Sequence, residues 1–211
     1  MMKLYITPGS PYARMARILI LEKGMESQVE IIAAKTRVAD SPYYDINPSG
    51  RVPYLVCNDG SGLEESAVIC SYLDHLDGDP MFDLPVDDQS WEARRLEALA
   101  RSMLDGLSVW VREMLRPGNE RSPGTIQHET DRAHRMANLW EAAIDRPLMR
   151  GPLNMVQITL ACALGLEARN PDFRWRPGHP KLCAWFDRIA ARPSITATAS
   201  PSTSSAGGGA A

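Results

Sequence analysis

Asn47-Pro48-Ser49-Gly50-Arg51-Val52-Pro53-Tyr54-Leu55, followed by Glu64-Glu65-Ser66-Ala67, is the stretch from which the rest of the chain can be read. Asn-Pro and Ser-Gly are turn dipeptides, so the chain reverses before Arg51. Val52 precedes a proline and is restricted to extended backbone. Tyr54-Leu55-Val56-Cys57 then reads as a short apolar strand, and a proline without an N–H suits its start. A cis Val52–Pro53 bond would turn the N–H and C=O of Val52 outward, where an extended peptide can pair with them as an added strand. Cis is the minority state of X–Pro bonds, so composition alone does not establish it. The second half adds an anion site. Val68, Ile69, Tyr72, Leu73 and Leu76 recur at helical spacing, Gly78 supplies the C′ stop, and Ser66 is the expected N-cap. Backbone N–H groups and the positive end of the helix dipole meet there and suit a carboxylate. Glu65 beside them can hold an ammonium.

These residues closely resemble the glutathione transferase family. Its Asn-Pro-x-Gly-x-Val-Pro-x-Leu and Glu-Ser elements are both present and in order. Either alone describes a generic strand or a capped helix; the two together are specific. The resemblance implies glutathione as co-substrate, held by Arg51, Val52, Pro53, Glu65 and Ser66, with its charged γ-glutamyl end on Glu65 and Ser66. Arg51 would reach the glycyl carboxylate, a solvated surface arginine being the plain alternative. It also implies a cis Val52–Pro53 bond and a two-fold homodimer, with no metal and no cofactor beyond glutathione.

Outward from this stretch, Lys3 to Thr7 alternates as a strand and Pro8-Gly9 breaks it. Ser10 is an N-cap, Pro11 a favoured first helical residue and Gly24 a C′ stop around a helix marked by Met15, Ile18, Leu19 and Glu22. Val29–Ala33 reads as a second strand, 34–46 as loop or short helix, and Asn58-Asp59-Gly60-Ser61-Gly62 as a hairpin leading to a fourth strand near Leu63-Glu64. The order β-α-β then β-β-α, with the resemblance, gives an α/β thioredoxin-like domain over residues 1–78. Residues 79–89, with Asp77-Gly78-Asp79-Pro80, Leu84-Pro85 and Asp87-Asp88 in and around them, read as a linker. Residues 90–196 read as an all-helical domain. A stripe of Leu96, Leu99, Met103, Leu104, Leu107, Val111 and Leu115 runs from about residue 88 to 116. Ile126, Ala133, Met136, Ala137, Trp140 and Ile144 mark a second helix. Asn154–Leu166 is nearly all apolar, as expected for a helix buried on every side, with Asn154 as cap and Gln157 to complete a capping box. Leu182, Trp185, Phe186 and Ile189 mark another, stopped by Arg192-Pro193-Ser194. Residues 197–211 have a disordered composition. His179-Pro180-x-Leu182-x-x-Trp185 and Arg192-Pro193-Ser194 extend the family resemblance through this half.

Conjugation by glutathione needs its thiol ionised. A free thiol is about 3% thiolate at pH 7, and lowering its pKa by about two units, worth roughly 2.7 kcal/mol, makes thiolate the major form. Ser10 offers a hydroxyl at a helix N-terminus, and Ser10 with Arg14 keeps the spacing of the family's serine-type members. Ser10 is therefore the candidate catalytic residue, as hydrogen-bond donor and not as base; a helix cap and nothing more is the alternative. Tyr5 is the rival, at the place of the tyrosine-type phenol, with a packed strand residue as its plain reading. Members with a catalytic cysteine place it next, where this chain has Pro11, which argues against a covalent thiol mechanism and against glutaredoxin-like reduction. Trp110 and Met103 are candidates for the second-substrate pocket, core packing being the ordinary reading. His75 and His179 read as structural.

With 211 residues, 44% of them hydrophobic and a net charge of −3, the chain has material for a core and no basic footprint for nucleic acid. No apolar run approaches membrane-spanning length, and the polar N-terminus is not expected to be a signal peptide. Cys57, Cys70, Cys162 and Cys183 lack metal or redox spacing and read as buried free thiols in a reducing cytoplasm. The expected function is a cytoplasmic glutathione transferase acting on small hydrophobic electrophiles, with a role in detoxification. The alternatives are other glutathione-dependent chemistry (isomerisation, dehalogenation, peroxide reduction) or a non-catalytic binding module of the same fold.

Overall fold

This structure, a computed structural model, describes residues 1–83 and 90–199. Leu84-Pro85 and Asp87-Asp88 of the expected linker, and residues 200–211 of the expected tail, lie outside them. The chain divides into two compact units, Met1–Asp83 and Leu84–Ala211.

The first unit is a thioredoxin-like layer of sheet and helices. Its elements are β1 (Met2–Ile6), α1 (Pro11–Glu22), β2 (Val29–Ala33), α2 (Tyr43–Ile46), β3 (Tyr54–Val56), β4 (Gly62–Glu64) and α3 (Ser66–His75). The four strands lie in the order β2-β1-β3-β4. β1 and β2 are parallel, joined through α1, while β3 is antiparallel to both β1 and β4. Along β1 the side chains of Met2, Leu4 and Ile6 are buried and alternate with Lys3 and Tyr5, the period-two pattern of a strand with one covered face. β2 is an edge strand, with Ile31 exposed on it. α1 starts where expected: Ser10 Oγ accepts from Ala13 N at 3.2 Å, Pro11 follows, and Gly24 takes φ +62° just past the C-cap Lys23. Its buried residues, among them Met15, Ile18 and Leu19, face the core together with Ile69 and Leu73 of α3. The apolar stripe of α3 is broader than its buried face: Val68 and Leu76 are exposed. Gly78 has φ +78° and donates to His75 O, one position beyond the expected C′ because the cap is Leu76.

An ionic knot closes this unit. Asp74, 1% exposed, accepts from the N–H groups of Met81 (2.9 Å), Phe82 (3.0 Å) and Asp83 (2.8 Å). Lys23 Nζ donates to Asp74 O (2.5 Å), Asp77 Oδ1 (2.8 Å) and Asp79 O (2.9 Å), and stands 3.5 Å from Asp74 Oδ1. Burial pushes the Lys23 pKa down, but the bonds to Asp77 and Asp74 outweigh it and leave it above the ordinary lysine value. The segment after α3 is thereby held to the ends of α1 and α3, which is why the first unit runs to Asp83.

The second unit is all helical. It contains α4 (Ser90–Met114), α5 (Pro123–Ala143), α6 (Pro147–Arg150), α7 (Met155–Leu164), α8 (Pro180–Ala190) and α9 (Pro193–Ala197), with 3-10 turns at Gly118–Glu120 and Gly165–Ala168. All ten residues of α7 are buried, and α4 packs against both α7 and α5. Asn154 caps α7 by accepting from Gln157 N at 3.2 Å. The expected reciprocal half of the capping box is absent: Gln157 Nε2 donates to the carbonyls of Leu148 (2.8 Å), Pro152 (3.1 Å) and Gly151 (3.3 Å), tying the incoming loop instead. Glu141 of α5 caps α8 from outside, accepting from Lys181 N (3.1 Å) and Leu182 N (2.8 Å). His179 is structural, buried between Trp175 O (2.6 Å) and Asn138 Oδ1 (2.8 Å). Half-exposed His75 lies against Ser71 O and Asp83.

α8 ends before Arg192-Pro193-Ser194, as expected, and Pro193 opens α9 as its first residue. Two expectations are corrected here. The tail does not lose structure at Ala197: Thr198 is buried, and its hydroxyl donates to Ser194 O at 2.8 Å. Cys57, Cys70 and Cys162 are buried free thiols, but Cys183 is only half-buried, because its place on α8 lies off the Leu182-Trp185-Phe186-Ile189 face.

Candidate functional site

The register of the sheet gathers the expected site residues of the first unit at one end. β1 leads into the Thr7–Ser10 turn. β3 is antiparallel to it with Tyr54 opposite Tyr5, so Val52 and Pro53 lie beyond that pair, toward the same end. β4 is antiparallel to β3 with Glu64 opposite Tyr54, so Glu65 and Ser66 emerge there too. Three chain segments from three adjacent strands thus converge: the α1 N-terminus, the 47–53 loop and the α3 N-terminus.

Ser10 is half-buried, with β-region backbone. Its N–H donates to Thr7 O and its carbonyl accepts from Arg14 N, both at 3.0 Å. Its hydroxyl oxygen accepts from Ala13 N. A hydroxyl has one proton to give and two lone pairs, and among the described residues the Ser10 proton has no acceptor. Arg14, four residues on, is buried in α1. Tyr5 is half-buried in mid-strand with its ring centroid 5.6 Å from that of Tyr43, a strand residue in an aromatic cluster.

The 47–53 loop is built on α2. Asn47, 2% exposed, donates from Nδ2 to Arg51 O (3.1 Å) and accepts from Ser49 N at Oδ1 (3.1 Å). Tyr43 OH donates to the same Arg51 carbonyl at 2.5 Å. Burial raises the Tyr43 pKa, so the phenol stays a donor. Gly50 takes φ +66°, and a Cβ there would meet Tyr44 Cε1 at 2.7 Å, so both the turn and the close approach require glycine. Arg51 is exposed and stands 3.9 Å from Glu65 Oε1. Ser49 Oγ donates to Glu64. The loop and the α3 entrance are thus joined by two polar pairs. The Val52–Pro53 bond is cis.

At α3 the structure corrects the expected cap. Glu65, not Ser66, is the N-cap, without a side-chain cap bond, and Ser66 is the first helical residue, 2% exposed. Glu65 adopts φ +71°, ψ 121°, a region costing a non-glycine residue on the order of 1–3 kcal/mol. Such strain clusters at active sites, ligand clamps and switch regions. The first-turn amides of α3 point to the same end of the sheet as Ser10.

Trp110 lies on α4 of the helical unit. It is 2% exposed within the helical unit, edge-on to Phe173 at 6.1 Å, and Met103 is likewise buried. Both are buried in the helical unit, as their helical spacing allowed. Tyr43 and Ser49 were not singled out by sequence; the spacing of Tyr43 four residues before Asn47 was the available signal. Among the described residues no group of three or more His, Cys, Asp or Glu side chains is placed to hold a metal ion. No described helix is long and apolar enough to cross a membrane.

The sequence model of the glutathione S-transferase N-terminal domain matches residues 9–76. Over 203 residues the chain is 32% identical to the GST-like protein YibF of Escherichia coli, covering 95% of this chain and 99% of that protein. The chain belongs to the glutathione S-transferase family. Among solved structures, a glutathione transferase family member from Pseudomonas fluorescens with bound glutathione aligns at a TM-score of 0.85 and 32% identity, covering 95% of this chain and 100% of that one. A glutathione S-transferase from Methylobacillus flagellatus with glutathione bound aligns at 0.83 and 30% identity, again over 95% and 100%. The family's N-terminal match spans every segment of the site, from Ser10 to Ser66, and the longer alignments take in the helical unit.

Proposed function

We propose that this chain is a glutathione transferase that ionises the glutathione thiol and adds it to small hydrophobic electrophiles. The γ-glutamyl end is held by Glu65 and Ser66, its carboxylate on the α3 first turn and its ammonium on Glu65. The N–H and C=O of Val52, beside Pro53, pair with the cysteinyl backbone, and Arg51 faces the glycyl carboxylate. Ser10 then stands over the sulfur. The observation that carries this reading is the Ser10 hydroxyl proton, uncommitted at a helix N-terminus, at the same sheet end as the α3 entrance. Ser10 donates to the sulfur anion, the thiol proton passes to water, and the anion forms the new S–C bond as the electrophile's leaving group departs. Serine-type activation is favoured over Tyr5, whose ring is packed against Tyr43. Pro11, with no side-chain nucleophile, occupies the cysteine position of thiol-reducing relatives.

The test is calorimetric titration with glutathione. Ser66→Ala removes a hydrogen bond to a charged group, worth about 1.5–3 kcal/mol, so affinity falls tenfold or more. Unchanged binding removes the assignment. A panel of electrophiles with glutathione then identifies the second substrate, and no turnover across it with binding intact favours the non-catalytic alternative. The free thiols fit a reducing cytoplasm. The family pattern supports a two-fold homodimer, which light scattering at the 23.3 kDa monomer mass would refute.

A further inference from the structure

We infer that Tyr43, with Asn47, is a positioning residue that aims the Val52 N–H at the bound ligand. The two donors converge on one acceptor: Tyr43 OH at 2.5 Å and Asn47 Nδ2 at 3.1 Å both reach Arg51 O. That carbonyl belongs to the Arg51–Val52 peptide, which is trans. In a planar trans peptide the C=O and the following N–H point in opposite directions. Holding the Arg51 carbonyl inward against α2 therefore holds the Val52 N–H outward. That N–H has no acceptor among the described residues. Among the described residues no other hydrogen bond fixes this plane; Arg51 N donates to Ser49 Oγ, at 3.2 Å, but belongs to the preceding peptide.

Both donors are themselves held. Tyr43 is 4% and Asn47 2% exposed. The Tyr43 ring packs between Tyr5 (5.6 Å) and Tyr44 (6.5 Å). Asn47 N donates to Tyr43 O at 2.9 Å, so α2 presents both side chains as one unit. A freely turning peptide would have to be ordered when a ligand pairs with it, at a cost in conformational entropy; a held one has lost that freedom already on folding. Tyr43 touches no ligand in this arrangement and acts through Val52.

The inference rests on the glutathione reading, and its test separates the two. Tyr43→Phe deletes one donor and keeps the ring. Asn47→Asp deletes the other and keeps an acceptor for Ser49 N. Each is titrated with glutathione and with a trans-alkene isostere of its cysteinyl–glycyl amide, which keeps the shape but cannot accept from the Val52 N–H. The wild type binds the isostere about tenfold more weakly than glutathione. Tyr43→Phe binds glutathione about three- to tenfold more weakly than wild type, the range of one neutral hydrogen bond. Its own loss on passing to the isostere is distinctly smaller than the wild-type loss, because the N–H is no longer aimed. Asn47→Asp repeats the pattern and carries the test if Tyr43→Phe does not fold. Equal isostere losses in wild type and both variants overturn the positioning role, reducing Tyr43 to a packing residue. No isostere loss in the wild type overturns it as well, since the Val52 N–H is then unused. A wild type that does not bind glutathione overturns the glutathione reading itself.

Discussion

Replacing Ser10 separates the two roles its hydroxyl fills. The oxygen accepts from Ala13 N at 3.2 Å as the α1 cap, and the proton is left to donate. Ser10→Ala removes both. Loss of the cap costs about 1 kcal/mol of stability, lowering Tm by roughly 2–4 °C for a chain of this length. Loss of a hydrogen bond to an anion costs about 1.5–3 kcal/mol, equivalent to about one to two pKa units on bound glutathione. Ser10→Gly isolates the second role, because glycine at an N-cap costs only a few tenths of a kcal/mol. Stability should then stay near wild type while the thiol pKa rises by the full amount. The assay is the ultraviolet absorbance of the thiolate in the binary complex, titrated against pH. The wild-type pKa should lie well below that of free glutathione and rise in both variants. Turnover at neutral pH should fall with the thiolate fraction but not vanish, since the α1 N-terminus remains. Affinity should change little, because the two charged ends of the ligand hold most of it. Unchanged titrations in both variants, with an upward shift in Tyr5→Phe, would refute the reasoning and leave Ser10 a helix cap.

Other expectations concern the frame around the site. Asp74→Ala strands the N–H groups of Met81, Phe82 and Asp83 and leaves the Lys23 ammonium short of a partner. Breaking such a buried pair costs about 3–5 kcal/mol, so thermal unfolding should drop by on the order of 10 °C; a shift below about 2 °C would show that the knot is dispensable. Gly62→Ala places a Cβ 1.8 Å from Tyr54 OH, an overpacking cost of about 1–3 kcal/mol. Chemical denaturation should show most of that loss recovered in a Tyr54→Ala background, and plain additivity would refute the contact. Asp145 is held down to about 2 by its bonds to Lys181 and Arg150. A carboxylate with a depressed folded pKa stabilises above its unfolded pKa, near 3.9, and loses that contribution as pH falls through the folded value. The stability deficit of Asp145→Asn should therefore be full at pH 5, shrink as pH falls below about 4, and be gone only below about pH 2; a deficit independent of pH would contradict it.

Much of this protein was legible from residues within a turn of one another. Ser10-Pro11 and Gly24 bracket α1 because a cap, a fixed φ and a left-handed residue act on the nearest backbone. The nearly all-apolar run 155–164 is a buried helix because no face of it can be left in water. The short strands followed from period and turn residues, and the fold class from element order together with the family resemblance. Tertiary structure decided what depends on partners distant in sequence. Lys23 and Asp74 lie 51 residues apart, and each reads as a surface charge until α1 and α3 bring their ends together. Glu65, at φ +71°, takes the cap position in place of Ser66, a backbone conformation that the pair Glu-Ser does not announce in sequence. Trp110 looked the same as a pocket residue and as a core residue, since helical spacing names a face and not what lies against it. The same holds for Tyr43: its hydroxyl gains a role only when α2 lies beside the Arg51 carbonyl. Local rules choose backbone conformation over a few residues, whereas the direction of a peptide plane or the partner of a buried charge is set by atoms that only the folded chain brings within hydrogen-bond distance.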